Sequence, residues 1–480
     1  MRWRGPRNCA PPHLNRRCEI KIALVFPRTR YPSGQPPLGI LSLAAYVRAE
    51  MLGVTVDIID PTFARHSLDM IRERITQGGY DLVGVSVMTP MLREAIYTSQ
   101  VAREAPGRPM VVWGGPHPTV LPEESLAHDS VDVIALGEAE ETMRELIERD
   151  LDPEDVDGLW YRRDGQIVRN APRMPIHDLG ALPYPARDLI DMDAYARAWY
   201  SLTAASPELR GTSVIASRGC PYSCTYCQPT LNKLFGKQLR RRPVPHVIGE
   251  LRELQEVYHL DAFMLEDDTF IAHNGWATEF AQALRQSGLR FKWGCNVRAD
   301  LVVRGPHLME EMARSGLVQV NMGIESGSQR ILDDVYDKRI TIDQVREAAR
   351  IAKKLGLRVG GYFMLGAPTE TRDEIQRTIE YAARLPIDEA AFNITTPLPG
   401  TYLWDKSKEL VGNTWQDFDY YRQSVYASEQ VLPARQLDLL KKWAYLRFYA
   451  LTPSRAWRIL VNDVLSIAGL RKLWMRMKRF

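Results

Sequence analysis

The sequence has few cysteines, little net charge and no long apolar run, and each of these shortages excludes a class of protein. Only 6 of the 480 residues are cysteine, too few for the disulfide framework of a small secreted domain. A net charge of +3 gives no reason to expect nucleic-acid binding. No uninterrupted apolar segment approaches the roughly 18 residues of a membrane span, and residues 1–18 lack the apolar stretch of a secretory signal. We therefore expect a protein of the reducing cytoplasm.

The length of 480 residues exceeds one typical hydrophobic core, so two or three domains are expected. Residues 1–18 are interpreted as a tail. Residues 19–150 alternate short β-branched runs with helical patterns, which is typical of a doubly wound, Rossmann-like parallel sheet that binds a ligand. The predicted strands are 20–27, 54–60, 81–88, 110–115 and 131–136, and the predicted helices are 38–52, 68–76 and 90–104.

Ligands of such sheets bind over the carboxyl ends of the strands. Glycine- and proline-containing segments follow four of these strand ends, and glycine lets the backbone approach a large ligand closely. The alternative, that each segment is only a tight strand-to-helix turn, stays open for any one of them. The segments are 27–39, 86–90, 114–119 and 137–142.

Residues 151–210 are interpreted as a hairpin with an Asp-Gly turn, followed by a proline-rich linker. Residues 211–400 return to alternating strands and helices, with six strands instead of the eight of a closed barrel, so a partial (β/α)6 barrel is predicted. The functional loops of a barrel follow its strands. The predicted barrel strands are 212–217, 262–266, 291–298, 318–323, 358–365 and 390–395.

Residues 401–480 are rich in aromatic residues and helix formers, and we expect a helical C-terminal region. Its aromatic residues suggest a flat or hydrophobic substrate, although aromatic residues at helical spacing also form ordinary cores. The apolar residues of 457–480 recur as on one helix face, and basic residues follow them. That helix could lie on an anionic membrane surface, or it could pack against the core. The aromatic residues are Trp415, Phe418, Tyr420, Tyr421, Trp443, Phe448 and Trp474.

Three of the six cysteines, Cys220, Cys224 and Cys227, lie directly after the first predicted barrel strand. Thiolates are soft ligands that bind iron-sulfur clusters, zinc or copper(I). A structural zinc site needs a fourth ligand, and no nearby cysteine or histidine has the spacing to supply it. Three sulfurs on a four-iron cluster leave one iron open. Cys295 is interpreted as a small buried apolar residue.

The spacing Cys220-x-x-x-Cys224-x-x-Cys227, with Tyr226 before the last cysteine, resembles the cluster loop of the radical S-adenosylmethionine (SAM) superfamily. The resemblance implies that these cysteines bind a [4Fe-4S] cluster. It implies that the open iron binds SAM, that Tyr226 contacts SAM, and that one electron cleaves SAM to methionine and a 5′-deoxyadenosyl radical.

Other segments are similar to further motifs of the same superfamily. The three acids after the second strand, Glu266, Asp267 and Asp268, are candidates to hold the SAM amino group, without a ranking among them. Glu325 resembles the acid that accepts the ribose hydroxyl groups. Two further positions implied by the resemblance are Gly366, whose backbone would meet adenine, and Arg298, which would pair with the SAM carboxylate or form an interdomain salt bridge.

The N-terminal domain resembles the cobalamin-binding domain fused to one class of radical SAM enzyme, through segments 31–46, 114–119 and 137–142. The histidine-ligation motif Asp-x-His-x-x-Gly does not occur, and His117 lies in Gly-Pro-His-Pro. The resemblance therefore implies cobalamin without a histidine below the cobalt. The implied cobalamin-binding residues are Gly39, Ser86, Thr89, Gly114, Gly115, His117, Gly137 and Glu138.

These resemblances imply a cobalamin-dependent radical SAM methyltransferase acting on an unactivated carbon, or on phosphorus, of a small molecule. The alternatives are an oxidative cyclase or ring-rearranging enzyme with the same cofactors, and a cobalamin-binding sensor or carrier. A methylthiotransferase fits less well, because its N-terminal domain needs three cluster cysteines and only Cys9 and Cys18 lie there. The expected partner is an electron donor such as flavodoxin or ferredoxin. No nucleic-acid partner is expected.

Overall fold

The structure is a computed structural model that describes residues 19–28, 30, 33–202, 208–412, 425–426, 432–453 and 455–456. It divides into two compact units. The first ends at Ala194 and includes Thr230–Lys237, whereas the second runs from Tyr195 to Pro229 and resumes at Gln238. The predicted N-terminal tail with Cys9 and Cys18, the aromatic residues Trp415, Phe418, Tyr420, Tyr421 and Trp474, and the predicted helix 457–480 lie outside the described residues.

The first unit is built on a seven-stranded sheet in the order β2-β1-β3-β4-β5-β6-β7. Strands β1 to β5 are parallel, in the flavodoxin-like order of doubly wound sheets, and β6 and β7 add an antiparallel edge. The strands are β1 Ile20–Val25, β2 Val54–Ile59, β3 Leu82–Ser86, β4 Met110–Gly114, β5 Val133–Ala135, β6 Leu159–Arg163 and β7 Gln166–Arg169.

Sequence chemistry explains the elements of this sheet. The central strands are continuous apolar runs because helices cover both faces; Leu82, Val83 and Val111 are fully buried. The hairpin turns at Asp164 and Gly165, whose φ angles of 51° and 79° are those that an Asp-Gly turn adopts. The predicted parallel sheet and hairpin are therefore confirmed.

The second unit contains a six-stranded parallel sheet in the order β8-β11-β12-β13-β14-β15. Two short antiparallel strands, β9 and β10, form a separate pair beside it. The predicted partial barrel is therefore confirmed. The strands are β8 Gly211–Val214, β9 Ser217–Arg218, β10 Arg240–Arg241, β11 Ala262–Leu265, β12 Lys292–Val297, β13 Leu317–Glu325, β14 Arg358–Leu365 and β15 Glu389–Ile394.

Helices alternate with the strands in both units, and a C-terminal helical pair follows β15. Thr341 and Thr371 begin two of the helices with reciprocal capping boxes. The helices are α1 Leu38–Glu50, α2 Ser67–Gly78, α3 Leu92–Glu104, α4 Pro116–Val120, α5 Pro122–Ala127, α6 Glu140–Glu148, α7 Met192–Ala198, α8 Thr230–Phe235, α9 Val244–Glu256, α10 Asn274–Gln286, α11 Ala299–Arg304, α12 Pro306–Arg314, α13 Ile342–Lys354, α14 Arg372–Arg384, α15 Tyr402–Ser407 and α16 Ala434–Tyr445.

The described part of the C-terminal region is helical, as expected. Phe448 is fully buried and packs edge-on against Phe392 of β15, so this aromatic residue belongs to the core. Trp443 is partly exposed on α16. In the part of the chain that the structure describes, no helix combines the length and apolar character needed to cross a membrane.

Gly115 follows β4 with a φ of 97°, a conformation that favours glycine. A Cβ atom there would lie 3.2 Å from the Val87 carbonyl oxygen. We expect Gly115→Ala to lower the free energy of unfolding by about 1–2 kcal/mol, measured by urea unfolding without cofactors. Gly114→Ala is the matched control, since its Cβ would meet nothing within 4 Å. Equal losses in both variants would contradict the strain at Gly115.

Candidate functional site

The three predicted cluster cysteines lie on one loop between β9 and α8. The loop turns tightly at its end, because the backbone N–H groups of Cys227 and Gln228 both donate to the Cys224 carbonyl, at 3.1 and 3.0 Å. The loop begins at Gly219, whose φ is 95° and where a Cβ atom would lie 2.9 Å from the Gln238 carbonyl oxygen. Glycine is therefore the residue that fits where the chain leaves β9.

The surroundings of the cysteines are suited to a metal centre. The Cys220 sulfur lies 3.1 Å from the Thr269 hydroxyl, and Arg298 Nη1 lies 3.7 Å from the Cys224 sulfur. Burial raises the pKa of the Cys220 and Cys227 thiols. Because the thiolate is the ligand form, the positive charge of a bound metal centre would be needed to deprotonate them.

The arrangement fits a cluster better than a single ion. Cys295 is fully buried on β12. Within the described ranges, no group of three His, Cys, Asp or Glu side chains could hold one metal ion. A cluster makes a different demand, since each cysteine binds its own iron and the sulfurs need not surround one point.

Arg298 follows β12 and contacts the cluster loop from one side. Its Nε donates to Asp300 Oδ1 at 3.1 Å, Nη2 donates to the Lys338 carbonyl at 2.8 Å, and its guanidinium lies 3.7 Å over the Tyr222 ring. Its ionic partner is therefore an acid two residues away, within the same unit. Pairing of Arg298 with the SAM carboxylate stays a prediction.

The three acids after β11 occupy different environments. Asp267 is buried, accepts from the Ala216 N–H at 3.1 Å and from the Ser217 hydroxyl, and has its pKa raised to about 6 by burial. It therefore stabilises the segment that leads into the cluster loop. Glu266 accepts from Ser213 Oγ at 3.1 Å, and Asp268 is exposed. The geometry thus favours Glu266 and Asp268 over Asp267 for contact with a ligand.

Glu325 ends β13 with a φ of 65° and belongs to a buried polar triad. Its Oε1 accepts from the Tyr226 hydroxyl at 3.1 Å and from Lys338 Nζ at 2.7 Å, and Lys338 also donates to the Tyr226 oxygen at 2.8 Å. No sequence motif marks Lys338 as a site residue. A single lysine in a polar stretch carries no signal, because such residues are mostly exposed.

The loop after β14 is held by a buried carboxyl group. Gly366, with a φ of 77°, and Ala367 donate their N–H groups to Glu370 Oε2 at 2.6 and 3.0 Å. Burial raises the pKa of Glu370 to about 7. The predicted adenine-binding backbone at Gly366 is therefore fixed by a side chain four residues further on.

A second buried carboxylate ties the loop after β13 to the start of α14. Glu374 accepts from Ser328 Oγ at 2.8 Å, from Arg330 Nε at 2.9 Å and Nη2 at 2.6 Å, and from the Thr371 N–H at 3.0 Å. The hydrogen bonds from Arg330 contribute most to lowering the pKa of Glu374, to about 2. The pKa values of Glu370 and Glu374 are therefore shifted in opposite directions.

In the first unit, the carboxyl ends of β3 and β4 are joined by His117. Its Nδ1 lies 3.1 Å from Thr89 Oγ1, and its N–H donates to the Val87 carbonyl at 3.0 Å. The imidazole is fully buried, and this burial lowers its pKa to about 4, so the ring is neutral at pH 7. Ser86 and Gly114 end the two strands that His117 connects.

The remaining predicted cobalamin-binding residues differ in the contacts that they make within the protein. Gly137, with a φ of 71°, donates its N–H to Thr119 Oγ1 at 3.1 Å. Glu138 Oε2 accepts from the Ile176 N–H at 2.8 Å, so this carboxylate contacts the segment that follows the hairpin. Gly39 is exposed on α1. Contact of these residues with cobalamin stays a prediction.

Comparisons with known proteins identify the family. The model of the radical SAM superfamily matches residues 214–382, and the model of the B12 binding domain matches residues 28–147. An uncharacterized methyltransferase of Pyrococcus horikoshii is 32% identical over 467 residues, which are 94% of this chain and 96% of that protein. The chain belongs to the cobalamin-dependent radical SAM enzymes. The expectation of this family, and of its [4Fe-4S] cluster, SAM and cobalamin as cofactors, is therefore confirmed.

Two further similar proteins are informative about the fold and the chemistry. The anaerobic magnesium-protoporphyrin IX monomethyl ester cyclase of Rubrivivax gelatinosus is 28% identical, over 80% of this chain and 68% of that enzyme. The solved structure of the radical SAM methyltransferase TsrM from Kitasatospora setae superposes with a TM-score of 0.66 at 18% identity, covering 82% of this chain and 75% of that chain. The latter likeness establishes a shared fold.

The opposite pKa shifts of the two buried carboxyl groups can be tested with Glu370→Gln and Glu374→Gln. The pKa of Glu370 is raised in the folded chain, so wild-type stability falls as the pH rises from about 4.5 to about 7. Glu370→Gln removes this loss and should be more stable than wild type at pH 8, by roughly 3 kcal/mol at about 1.4 kcal/mol per pKa unit.

The pKa of Glu374 is lowered, so its contribution is complete above about pH 4.5 and is lost as the pH falls towards 2. Glu374→Gln should therefore be less stable than wild type at pH 7, by a similar amount, with a smaller deficit in acid. Urea unfolding from pH 2 to pH 8 measures both, with the exposed Glu347→Gln as the control. Stability differences from wild type that do not change with pH would contradict the assignment.

Proposed function

We propose that this enzyme is a cobalamin-dependent radical SAM methyltransferase that methylates an unactivated carbon, or phosphorus, of a small molecule. The main support is that a relative sharing 32% identity over 94% of the chain is described as a methyltransferase. Residues 19–150 would bind cobalamin and residues 211–400 the cluster and SAM. The two sheets fit these roles, since both present their loops at the carboxyl ends of parallel strands.

Cys220, Cys224 and Cys227 would hold the cluster as its three protein ligands. The cluster supplies reductive cleavage of SAM when bound, and cobalamin carries the transferred methyl group. Arg298 lies beside Cys224 and donates towards its sulfur. Hydrogen bonds and positive charge near cluster sulfurs tune the reduction potential, so Arg298 would favour the reduced cluster and orient the loop.

The polar groups at the strand ends would position SAM. Glu325 would accept from its ribose hydroxyl groups, with Tyr226 alongside, and Glu266 or Asp268 would hold the amino group. The backbone at Gly366, fixed by Glu370, would meet adenine. Positioning of this kind is the main contribution that a protein makes to cofactor chemistry.

In the first unit, the backbone at Ser86, Gly114, Gly115 and Gly137 would approach cobalamin. His117 would support this edge through Thr89, whose hydroxyl group lies 3.1 Å from Nδ1 of the fully buried ring, and we assign it no cobalt ligation. This proposal agrees with the missing Asp-x-His-x-x-Gly motif.

The partners and location of the enzyme are further parts of the proposal. Reductive cleavage needs a low-potential electron donor such as flavodoxin or ferredoxin. None of the four cysteines of the described residues forms a disulfide, which suits a reducing cytoplasm. Peripheral membrane contact is supported only by the sequence of residues 457–480, with its basic residues Arg471, Lys472, Arg476, Lys478 and Arg479.

The second candidate function is an oxidative cyclisation or ring rearrangement with the same cofactors. The observation that favours it is the 28% identity with the anaerobic magnesium-protoporphyrin ester cyclase. SAM with a deuterated methyl group distinguishes the two candidate functions when the enzyme is incubated with extracts that contain possible substrates. A methyltransferase yields a product heavier by the labelled methyl group, detected by mass spectrometry. Formation of 5′-deoxyadenosine with an unlabelled product would reject methyl transfer in favour of cyclisation.

Alanine substitutions test the cluster assignment. We expect Cys220→Ala, Cys224→Ala and Cys227→Ala each to abolish formation of 5′-deoxyadenosine, because each removes one of three ligands, while the absorbance of bound cobalamin is retained. Cys295→Ala is the matched control and should retain cleavage, since Cys295 is buried on β12. A triad variant that still makes 5′-deoxyadenosine would contradict the assignment. A wild-type protein that binds cobalamin but never cleaves SAM would indicate a sensor or carrier.

A further inference from the structure

Lys338 is a buried cation with two partners in the second unit. The residue is 5% exposed, and its ammonium group donates to Glu325 Oε1 at 2.7 Å and to the Tyr226 hydroxyl oxygen at 2.8 Å. Removing an ammonium group from water is costly unless it is paired and hydrogen-bonded. Both partners of Lys338 were already predicted to contact SAM, whereas Lys338 was not.

The two donors use the same oxygen of Glu325. Tyr226 donates to Oε1 at 3.1 Å and Lys338 donates to it as well. In the part of the chain that is described, Oε2 receives no hydrogen bond. A carboxylate has acceptor capacity on both oxygens, so Oε2 is left for another donor while Oε1 is fixed.

The backbone around Lys338 is attached to the cluster loop. The Thr225 N–H donates to the Tyr336 carbonyl at 2.9 Å, and Thr225 Oγ1 donates to the Val335 carbonyl at 2.6 Å. Arg298 Nη2 donates to the carbonyl of Lys338 itself, at 2.8 Å. The ammonium group therefore extends from a backbone that is held against the loop carrying Cys224 and Cys227.

A buried ion pair is weak support for stability, because well-packed apolar residues of similar volume are often as stable. Its clearer effect is geometric: the pair holds a carboxylate in one orientation at the end of β13. Glu325 is the last residue of β13, and its positive φ is the point where the chain leaves the extended conformation.

We propose that Lys338 is a positioning residue for SAM, which fixes Glu325 through Oε1 so that Oε2 accepts from the ribose hydroxyl groups. This inference rests on the proposed function and adds a residue to its site. Lys338 acts through Glu325 and compensates its charge. The loss caused by removing Lys338 should therefore depend on the ribose hydroxyl groups and on the presence of Glu325.

The test measures equilibrium binding by anaerobic calorimetry, with the full chain carrying its reconstituted cluster and cobalamin. Lys338→Met should weaken SAM about tenfold or more, the range expected for a lost hydrogen bond to a charged group. An analogue lacking both ribose hydroxyl groups should bind wild type and Lys338→Met equally. Lys354→Met, which removes a lysine from an exposed position on α13, is the control and should leave SAM affinity unchanged.

Two outcomes would overturn the inference. If Lys338→Met loses as much affinity for the analogue without ribose hydroxyl groups as for SAM, the role of Lys338 is merely structural. If Lys338→Met binds decarboxylated SAM as tightly as wild type does but binds the analogue without ribose hydroxyl groups more weakly than wild type does, Lys338 contacts the SAM carboxylate directly.

A double variant keeps the test decisive if Lys338→Met alone loads its cluster poorly, as judged by iron and sulfide content. Lys338→Met combined with Glu325→Gln removes both charges, so no unpaired carboxylate stays buried. The double variant should bind SAM as Glu325→Gln alone does, because Lys338 acts through Glu325. Additive losses would overturn the inference. A loaded wild type that binds no SAM would reject the proposed function itself, whereas normal binding by Lys338→Met rejects only the role of Lys338.

Discussion

All six strands of the barrel sheet run in the same direction, and this constraint brings the candidate site residues of the second unit to one edge. The cysteine loop follows β8 and the short strand β9, the acids follow β11, Arg298 follows β12, Glu325 ends β13 and Gly366 follows β14. Parallel strands present their carboxyl ends together, so residues far apart in sequence meet without any local sequence relation. Tyr226 and Lys338 are 112 positions apart and are joined by one hydrogen bond.

The buried charges at this edge have nearby partners of opposite charge. Arg298 pairs with Asp300, Lys338 with Glu325, and Arg330 with Glu374. Burial also favours the neutral form of a carboxyl group, and it raises the pKa of Glu370 to about 7 and that of Asp267 to about 6. Two of the pairs also orient loops, because Lys338–Glu325 and Arg330–Glu374 join segments that the sheet alone does not connect, whereas Arg298–Asp300 lies within one segment.

The strands and the candidate loops could be predicted from sequence because their signals are local. Continuous apolar runs identify the buried parallel strands, and the Asp-Gly pair at residues 164 and 165 identifies the hairpin. Side-chain roles were harder to predict, because a role depends on which atoms the fold places opposite. Asp267 lies between two other acidic residues in sequence, yet it alone is buried against Ser217 and Ala216. Glu138 accepts from the Ile176 N–H, and the ring of His117 is fully buried.

The two candidate edges differ in their electrostatics, and the difference follows the chemistry of the proposed cofactors. SAM carries a sulfonium, an amino group and a carboxylate, and the barrel edge offers fixed charges in Glu325, Lys338 and Arg298. The region around Thr89 and Gly115 is instead held by a neutral imidazole and backbone groups. Cobalamin presents a broad corrin face with amide side chains, which needs close backbone approach more than opposing charge. The same strand-end geometry would therefore serve two ligands in the proposed function, and the side chains that stabilise each edge would determine which ligand it suits.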